Sequence, residues 1–280
     1  MAHPAKHAMT GGGRPWFVAV ALPVIIVAAA TLLPAARWPA VAVLLAGVLV
    51  LRPRRTQVVW LLGGLLPLAV RLAWAGSSGA APLLGLADCG NLFSAPAVAR
   101  AVEAVVVIGT LATAAVLLGA DRRSLSLRWP ARPIVALAIV GPLVVMPLAL
   151  IAGPMLTGPF FGPVQIETGI AAAIVPALFL AVSNSALEEL TFRGALLGWG
   201  IGAVGPTGAL VLQAVLFGLV HTGPDFLNPL VQLPVLAAVA AGGLIAGLIV
   251  RRTGSLLLPF AIHVALDVPL YYAFACRLPG

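Results

Sequence analysis

Charge is scarce in this sequence. Only 9% of its 280 residues are Asp, Glu, Lys or Arg, against roughly 25% in a soluble domain. Hydrophobic residues make up 61%, and the mean hydropathy is +1.12. A water-soluble globular fold is excluded by composition. A prior of ~150 residues per domain would suggest two domains, yet apolar segments recur along the whole chain and leave no polar stretch for a second. Cysteine is nearly absent too: Cys89 and Cys276 are too few for a disulfide scaffold or a zinc ribbon. There is no GxxxxGK phosphate loop, which argues against an ATP-driven machine, and no HExxH, which removes the helix-borne zincin arrangement. No internal repeat is evident.

What is present is a succession of apolar segments separated by short arginine clusters. About 20 apolar residues cross the hydrocarbon core as a helix, and candidate spans fall at 16–34, 38–51, 57–74, 97–120, 133–153, 169–200, 205–222, 231–250 and 255–275. The second is short. The sequence therefore predicts an all-α, polytopic transmembrane helical bundle of eight or nine spans, preceded by a disordered basic tail at 1–15. The run from Trp16 to Leu33 is long for a signal peptide and reads as a retained first span.

Of sixteen basic residues fifteen are Arg, and no run of them resembles a nucleic-acid patch. With the N-terminus inside, the inner loops hold Arg52, Arg54 and Arg55, then Arg122, Arg123, Arg128 and Arg132, then Arg251 and Arg252. The outer loops hold Arg37 with the acids Asp88, Glu167 and Asp225. This asymmetry sets the orientation and places the chain as a multi-pass protein, expected in the cell membrane with a cytoplasmic N-terminus and the lipid bilayer as its solvent. Arg71 and Arg277 lie at outer span ends, where they can snorkel. Trp16, Trp38, Trp74, Trp129 and Trp199 fall near expected interfaces. Gly243 and Gly247 form a small-xxx-small pair suited to close helix contact, although such pairs also arise by chance in a Gly-rich apolar helix.

The ionisable residues inside spans cluster in the last third: Glu188, Glu189 and Arg193, then His221, then His263 and Asp267. Insertion scales put an Asp or Arg at a helix centre at roughly 2.5–3.5 kcal/mol, so left unpaired these groups would cost on the order of 10 kcal/mol. A paired, buried functional site is the default reading, because an ion-pair staple would explain Glu189 with Arg193 but not the remaining carboxylates and histidines. Spacing supports it. Asn184, Glu188 and Thr191 share one helix face; Glu189 and Arg193 are four apart, acid first; Gln213, Phe217 and His221 are each four apart; so are His263 and Asp267. A break at Gly202–Pro206 should make an antiparallel turn. That places Glu188 and His221 at one depth, ~25 Å from the turn at 1.5 Å per residue. His263, only ~13 Å beyond Ser255 on the same count, does not match that depth unless helices tilt or the turn protrudes.

Glu188-Glu189-Leu-Thr-Phe-Arg193 matches an EExxxR motif, Phe217-Gly-Leu-Val-His221 an FxxxH motif, and His263-Val-Ala-Leu-Asp267 an HxxxN/D motif. Together and in order they resemble the CAAX protease and bacteriocin-processing (CPBP, or Abi) family of intramembrane endopeptidases, which includes the type II CAAX prenyl endopeptidases. The resemblance covers about residues 170–275. It implies 16–153 as N-terminal transmembrane helices without a motif and 154–280 as the catalytic transmembrane core. It further implies hydrolysis of a peptide bond in a membrane-associated protein or peptide. Glu188 and His221 would activate water, His263 and Asp267 would stabilise the oxyanion, and Glu189 and Arg193, with Asn184 and Phe217, would support the site. A carboxylate in apolar surroundings holds a proton more readily, which suits a general base. Members are described both as metalloproteases and as glutamate proteases. The resemblance therefore leaves open whether Glu188, His221 and His263 hold a divalent metal such as zinc or whether no cofactor is required. Many relatives carry Asn where this chain has Asp267. Three other readings fit parts of the pattern: a proton-coupled transporter, a non-catalytic membrane scaffold or immunity factor, and a bis-His haem protein using His221 and His263.

Overall fold

The computed structural model describes residues 14–54, 56–77, 95–161, 170–222 and 229–275. The proposed tail at 1–15 falls outside them except for its last two residues, as do Arg55, Cys89, Cys276, Arg277, Asp88, Glu167 and Asp225. The described residues are helical almost throughout. The helices are α1 (Arg14–Leu32), α2 (Arg37–Leu51), α3 (Gln57–Ser77), α4 (Ala95–Leu118), α5 (Arg132–Phe161), α6 (Ile170–Glu188), α7 (Leu197–Leu219), α8 (Pro229–Thr253) and α9 (Leu257–Ala275). Between α6 and α7 the chain runs without a break through a π-helical stretch, Glu189–Leu196. Among the described residues six helical stretches are long and apolar enough to cross a membrane, and the chain is a multi-pass integral membrane protein.

One of the six stretches, Ile174–Leu219, is 46 residues long and is not straight. Gly205 adopts φ 76°, ψ 168° inside it, a conformation open to glycine because it has no Cβ, and Pro206 follows with no N–H to continue the helix. The chain turns back here, as the sequence predicts. In a continuous helix Glu188 and His221 would sit ~50 Å apart; instead their side chains approach to 3.8 Å.

The arginine-bearing loops collect at the turn end of the bundle. Arg251 reaches the carbonyl of Pro206 at 3.4 Å, Trp199 donates to Ser124 Oγ at 3.1 Å, Leu127 pairs with Ser255 in an antiparallel bridge, and Gln57 lies against Gly202. Trp199 corrects an expectation: it is not interfacial but buried, edge-on to Trp60, whereas Trp38 and Trp129 are exposed. The shared end makes a topology test simple. With Cys89 and Cys276 replaced by Ser, single cysteines at the exposed positions Thr56, Arg122 and Arg252 should all react with an impermeant thiol reagent from the cytoplasmic face alone. Labelling of any one from the opposite face would contradict the common orientation.

The depth of His263 is also resolved. Leu256 packs with Leu197 and Leu210, and Leu197 lies eight residues before Gly205, ~12 Å inward. The turn therefore protrudes past the start of α9, which begins part-way into the bundle, and His263 comes level with Glu188.

At the centre is α3, most of whose membrane-spanning length is buried. Leu61, Leu65 and Leu68 of α3 share one core with Val27, Leu44, Phe192, Leu196, Leu216 and Phe217, so the N-terminal helices and the motif-bearing helices are packed through each other. α9 lies against α5 and α6, and α8 against α7. The α7–α8 contact is close because of glycine. A Cβ on Gly247 would fall 2.6 Å from Leu210 Cδ1, and one on Gly218 2.6 Å from the Leu236 carbonyl. Gly243 and Gly247 thus form a true packing seam, closed by Gln213 Nε2 donating to the Gly243 carbonyl at 2.9 Å.

Candidate active site

The site forms where the π-helical stretch, α7, α9 and α3 meet. A π-helix shifts hydrogen bonding to i→i+5 and recurs at functional sites; here it carries Glu189, Thr191, Phe192 and Arg193, all buried. Glu188 and Glu189 stand at its start and point to different partners.

Glu189 takes the neighbour its spacing predicts. Arg193 Nη1 lies 3.1 Å from Glu189 Oε1, and the guanidinium sits 4.0 Å over the Phe217 ring, a favourable cation–π placement away from water. Phe217 also meets Phe192, His221 and His263 edge-on, with centroids 5.0, 4.7 and 6.0 Å away. It is the plank on which Arg193 and both histidines rest. Glu189 has a second task that spacing did not reveal: its Oε1 lies 2.9 Å from His263 Nδ1.

The histidines are oriented by their inner nitrogens. His221 Nδ1 is 2.7 Å from the Phe217 carbonyl, which can only accept, so Nδ1 carries hydrogen. His263 Nδ1 faces the Glu189 carboxylate in the same way. Both Nε2 atoms are thereby turned toward Glu188 Oε2, at 3.8 Å for His221 and 3.5 Å for His263. These separations are too long for direct hydrogen bonds. Glu188 Oε2 has no hydrogen-bonding partner in the protein, while the His221 side chain is 32% exposed against 1% for Glu188. His221 is the wall of the site that faces outward.

Asp267 closes the far side. Its Oδ2 accepts from Asn184 Nδ2 at 2.9 Å and Ser185 Oγ at 3.3 Å, and lies 3.6 Å from His263 Nε2. The geometry thus brings together all eight sequence-predicted site residues, Asn184, Glu188, Glu189, Arg193, Phe217, His221, His263 and Asp267.

The principal correction concerns Arg71. Expected to snorkel from a span end, it turns inward: Nη2 donates to Glu188 Oε1 at 2.6 Å and Nε to Glu103 Oε1 at 3.2 Å. Arg100 holds Glu103 from the same helix at 2.7 Å. Glu188 is therefore not the unpaired acid that its helix neighbours suggest; its counter-ion comes from 117 residues away. Ser185 was also missed. For Arg100 and Glu103 a signal existed, since two opposite charges three apart inside an apolar span are an intramembrane pair.

A cavity of about 380 Å³ opens at the arginine-rich end between loop 126–130 and the start of α9, with Ala186, Glu189 and Leu190 on its inner wall. It reaches Glu189 but is lined by neither histidine.

A divalent metal such as zinc needs several His or carboxylate donors converging on one point. Among the described residues no group of three or more His, Cys, Asp or Glu is arranged to hold one. The carboxylate that would anchor a dication already has a guanidinium at 2.6 Å, which a second cation would oppose. The residues as placed do not fit a metal centre.

Residues 170–269 match the family model described as "Type II CAAX prenyl endopeptidase Rce1-like". No curated protein and no solved structure matches the chain.

Proposed function

From that match, which supports assignment to the CPBP/CAAX protease family, we propose that the chain is an intramembrane endopeptidase that cuts membrane-associated peptides with a water activated by Glu188 and His221. The observation that carries the reading is the convergence of two histidine Nε2 atoms on the one unpartnered oxygen of a fully buried glutamate.

The chemistry follows from the atoms. A water between Glu188 Oε2 and His221 Nε2 gives a proton to Glu188 as its oxygen attacks the scissile carbonyl carbon. The carbonyl becomes a tetrahedral oxyanion. With one N–H held by Glu189, His263 donates from Nε2 only as an imidazolium, and the carboxylates of Glu188, Glu189 and Asp267, all within 3.6 Å, are its counter-charges. In that form it is the oxyanion donor, and such donors act most strongly in a water-poor site. The proton on Glu188 passes to the leaving nitrogen, the C–N bond breaks, and a new carboxyl end and a new amine result.

Asp267, an acceptor from Asn184 and Ser185, serves as a nearby counter-charge to the His263 imidazolium rather than as a second oxyanion donor. Among the described residues the charged groups close on each other around Glu188, which supports hydrolysis over a proton relay linking one side of the bundle to the other. The test uses purified protein in nanodiscs with a quenched farnesylated CAAX peptide. Cleavage at a single bond that persists in EDTA is expected. An intact peptide would contradict the proposal for this substrate class, and cleavage abolished by EDTA and restored by zinc would contradict the metal-free mechanism.

A further inference from the structure

The helices before residue 154 carry no family motif, yet one of their residues makes the shortest polar contact of the site. We propose that Arg71 of α3 is a positioning residue of the hydrolytic reaction: it clamps Glu188 Oε1 so that Oε2 alone is presented to His221 and His263. The proposal rests on the reading of Glu188 as the base.

Three observations carry it. The first is the division of labour on the carboxylate: Oε1 accepts from Arg71 Nη2 at 2.6 Å, and Oε2 faces the two histidines at 3.5 and 3.8 Å. The terminal torsion of a glutamate is broad and roughly two-fold, so nothing within the side chain itself selects which oxygen faces the water. A guanidinium holding one oxygen does, and it fixes the plane of the group as well.

The second is that Arg71 is itself held. Its Nε donates to Glu103 Oε1 at 3.2 Å, and Glu103 Oε2 is held by Arg100 Nη1 at 2.7 Å. Arg71 thus bridges two carboxylates through two different nitrogens. A planar guanidinium can do this with fixed geometry and a lysine cannot. The side chains of Arg71, Glu103 and Arg100 are only 15, 11 and 10% exposed, so neither bulk water nor salt dissolves the arrangement.

The third is charge. Arg100, Glu103, Arg71 and Glu188 sum to zero while Glu188 is a carboxylate. When Glu188 takes the proton of the attacking water, the same four groups carry +1, at the moment the substrate oxygen acquires −1. The clamp therefore leaves a compensating charge in place without any side chain having to move, which is the condition under which fixed charges assist a transition state. A plain structural staple between α3 and α6 would need neither the oriented oxygen nor this balance.

The experiment measures kcat and KM separately in nanodiscs, using the farnesylated CAAX peptide, for wild type, Arg71→Met, Arg71→Lys, Glu103→Gln and Glu188→Gln, with thermal melting of each. Misplacing a reacting group by about 1 Å can cost ~100-fold. Arg71→Met should lower kcat by about that factor with KM within about twofold. Arg71→Lys, which keeps the charge but not the fork, should recover part of the loss. Glu103→Gln, which loosens Arg71 without removing it, should lower kcat by a smaller factor. A purely structural role would instead lower the melting temperature and the yield while leaving kcat per folded molecule unchanged. Should Arg71→Met fail to fold, Arg71→Lys and Glu103→Gln decide, since both retain a cation beside Glu188. Wild-type kcat in the folded Arg71 and Glu103 variants, with Glu188→Gln inactive, would overturn the proposal and leave the Glu188 reading standing. Normal cleavage by Glu188→Gln would overturn both.

Discussion

Replacing Glu188 with Gln should abolish cleavage, by at least ~1,000-fold, which asks about 4 kcal/mol of the lost base, while the protein still accumulates in the membrane and melts close to wild type. Both halves follow from the partners of Glu188. Glutamine keeps the shape and the carbonyl oxygen that accepts from Arg71, but it has no carboxylate to take the proton of water. Removing a charge from a buried pair normally strands the other charge at a cost of several kcal/mol. Here Arg71 is not left isolated: Glu103 still lies 3.2 Å from its Nε, and the one excess positive charge is shared with Arg100 on the same carboxylate. A peptide-cleavage assay beside a thermal melt in detergent checks the two halves on one preparation. A melt that falls as steeply as the activity would mark Glu188 as a structural acid.

Arg193→Met should do the reverse and strike stability first. Arg193 is 2% exposed, among the largest fully buried side chains, and faces Glu189 at 3.1 Å with its guanidinium over Phe217. Without it Glu189 is a buried carboxylate whose remaining partner is His263. Breaking a buried pair by removing one member costs about 3–5 kcal/mol, a large share of the roughly 5–15 kcal/mol that holds a typical protein folded. The expected result is a sharp drop in membrane accumulation and a much lower melting temperature. Combining Arg193→Met with Glu189→Leu should restore much of that stability, since apolar groups of similar volume often replace a buried ion pair without loss. Activity should not return with it, because His263 Nδ1 would have lost the oxygen 2.9 Å away that orients it. Recovery of cleavage together with stability would show that Glu189 has no part in placing His263.

The difference between the two glutamates was only half legible in the sequence. Residues four apart share a helix face, so Arg193 was readable as the partner of Glu189 and not of Glu188, and the structure agrees. The all-helical, multi-pass character was readable as well, because hydropathy directly records which segments avoid water. The expectation of eight or nine spans stands beside six stretches that are long and apolar enough among the described residues. The Gly205–Pro206 break was readable from residue types that end helices. Three features were not. The counter-ion of Glu188 lies 117 residues away on another helix, and an arginine near a span end looks the same in sequence whether it snorkels outward or turns in. The π-helical stretch at Glu189–Leu196 has no sequence pattern that separates it from an α-helix; in the structure it packs against α3, α7 and Leu125. Finally, the second contact of Glu189, to His263, crosses 74 residues and exists only because α9 begins below the level of the Gly205 turn.

The dependence of proteolysis on Glu188 is tested most directly in the membranes of cells that carry the protein, without choosing a substrate in advance. Peptide ends of membrane-associated proteins are compared by mass spectrometry between wild type and Glu188→Gln expressed at equal levels. One or more new carboxyl ends present with wild type and missing with Glu188→Gln is the expected result. Identical sets of ends would contradict it and return the buried charges of this bundle to transport or scaffolding.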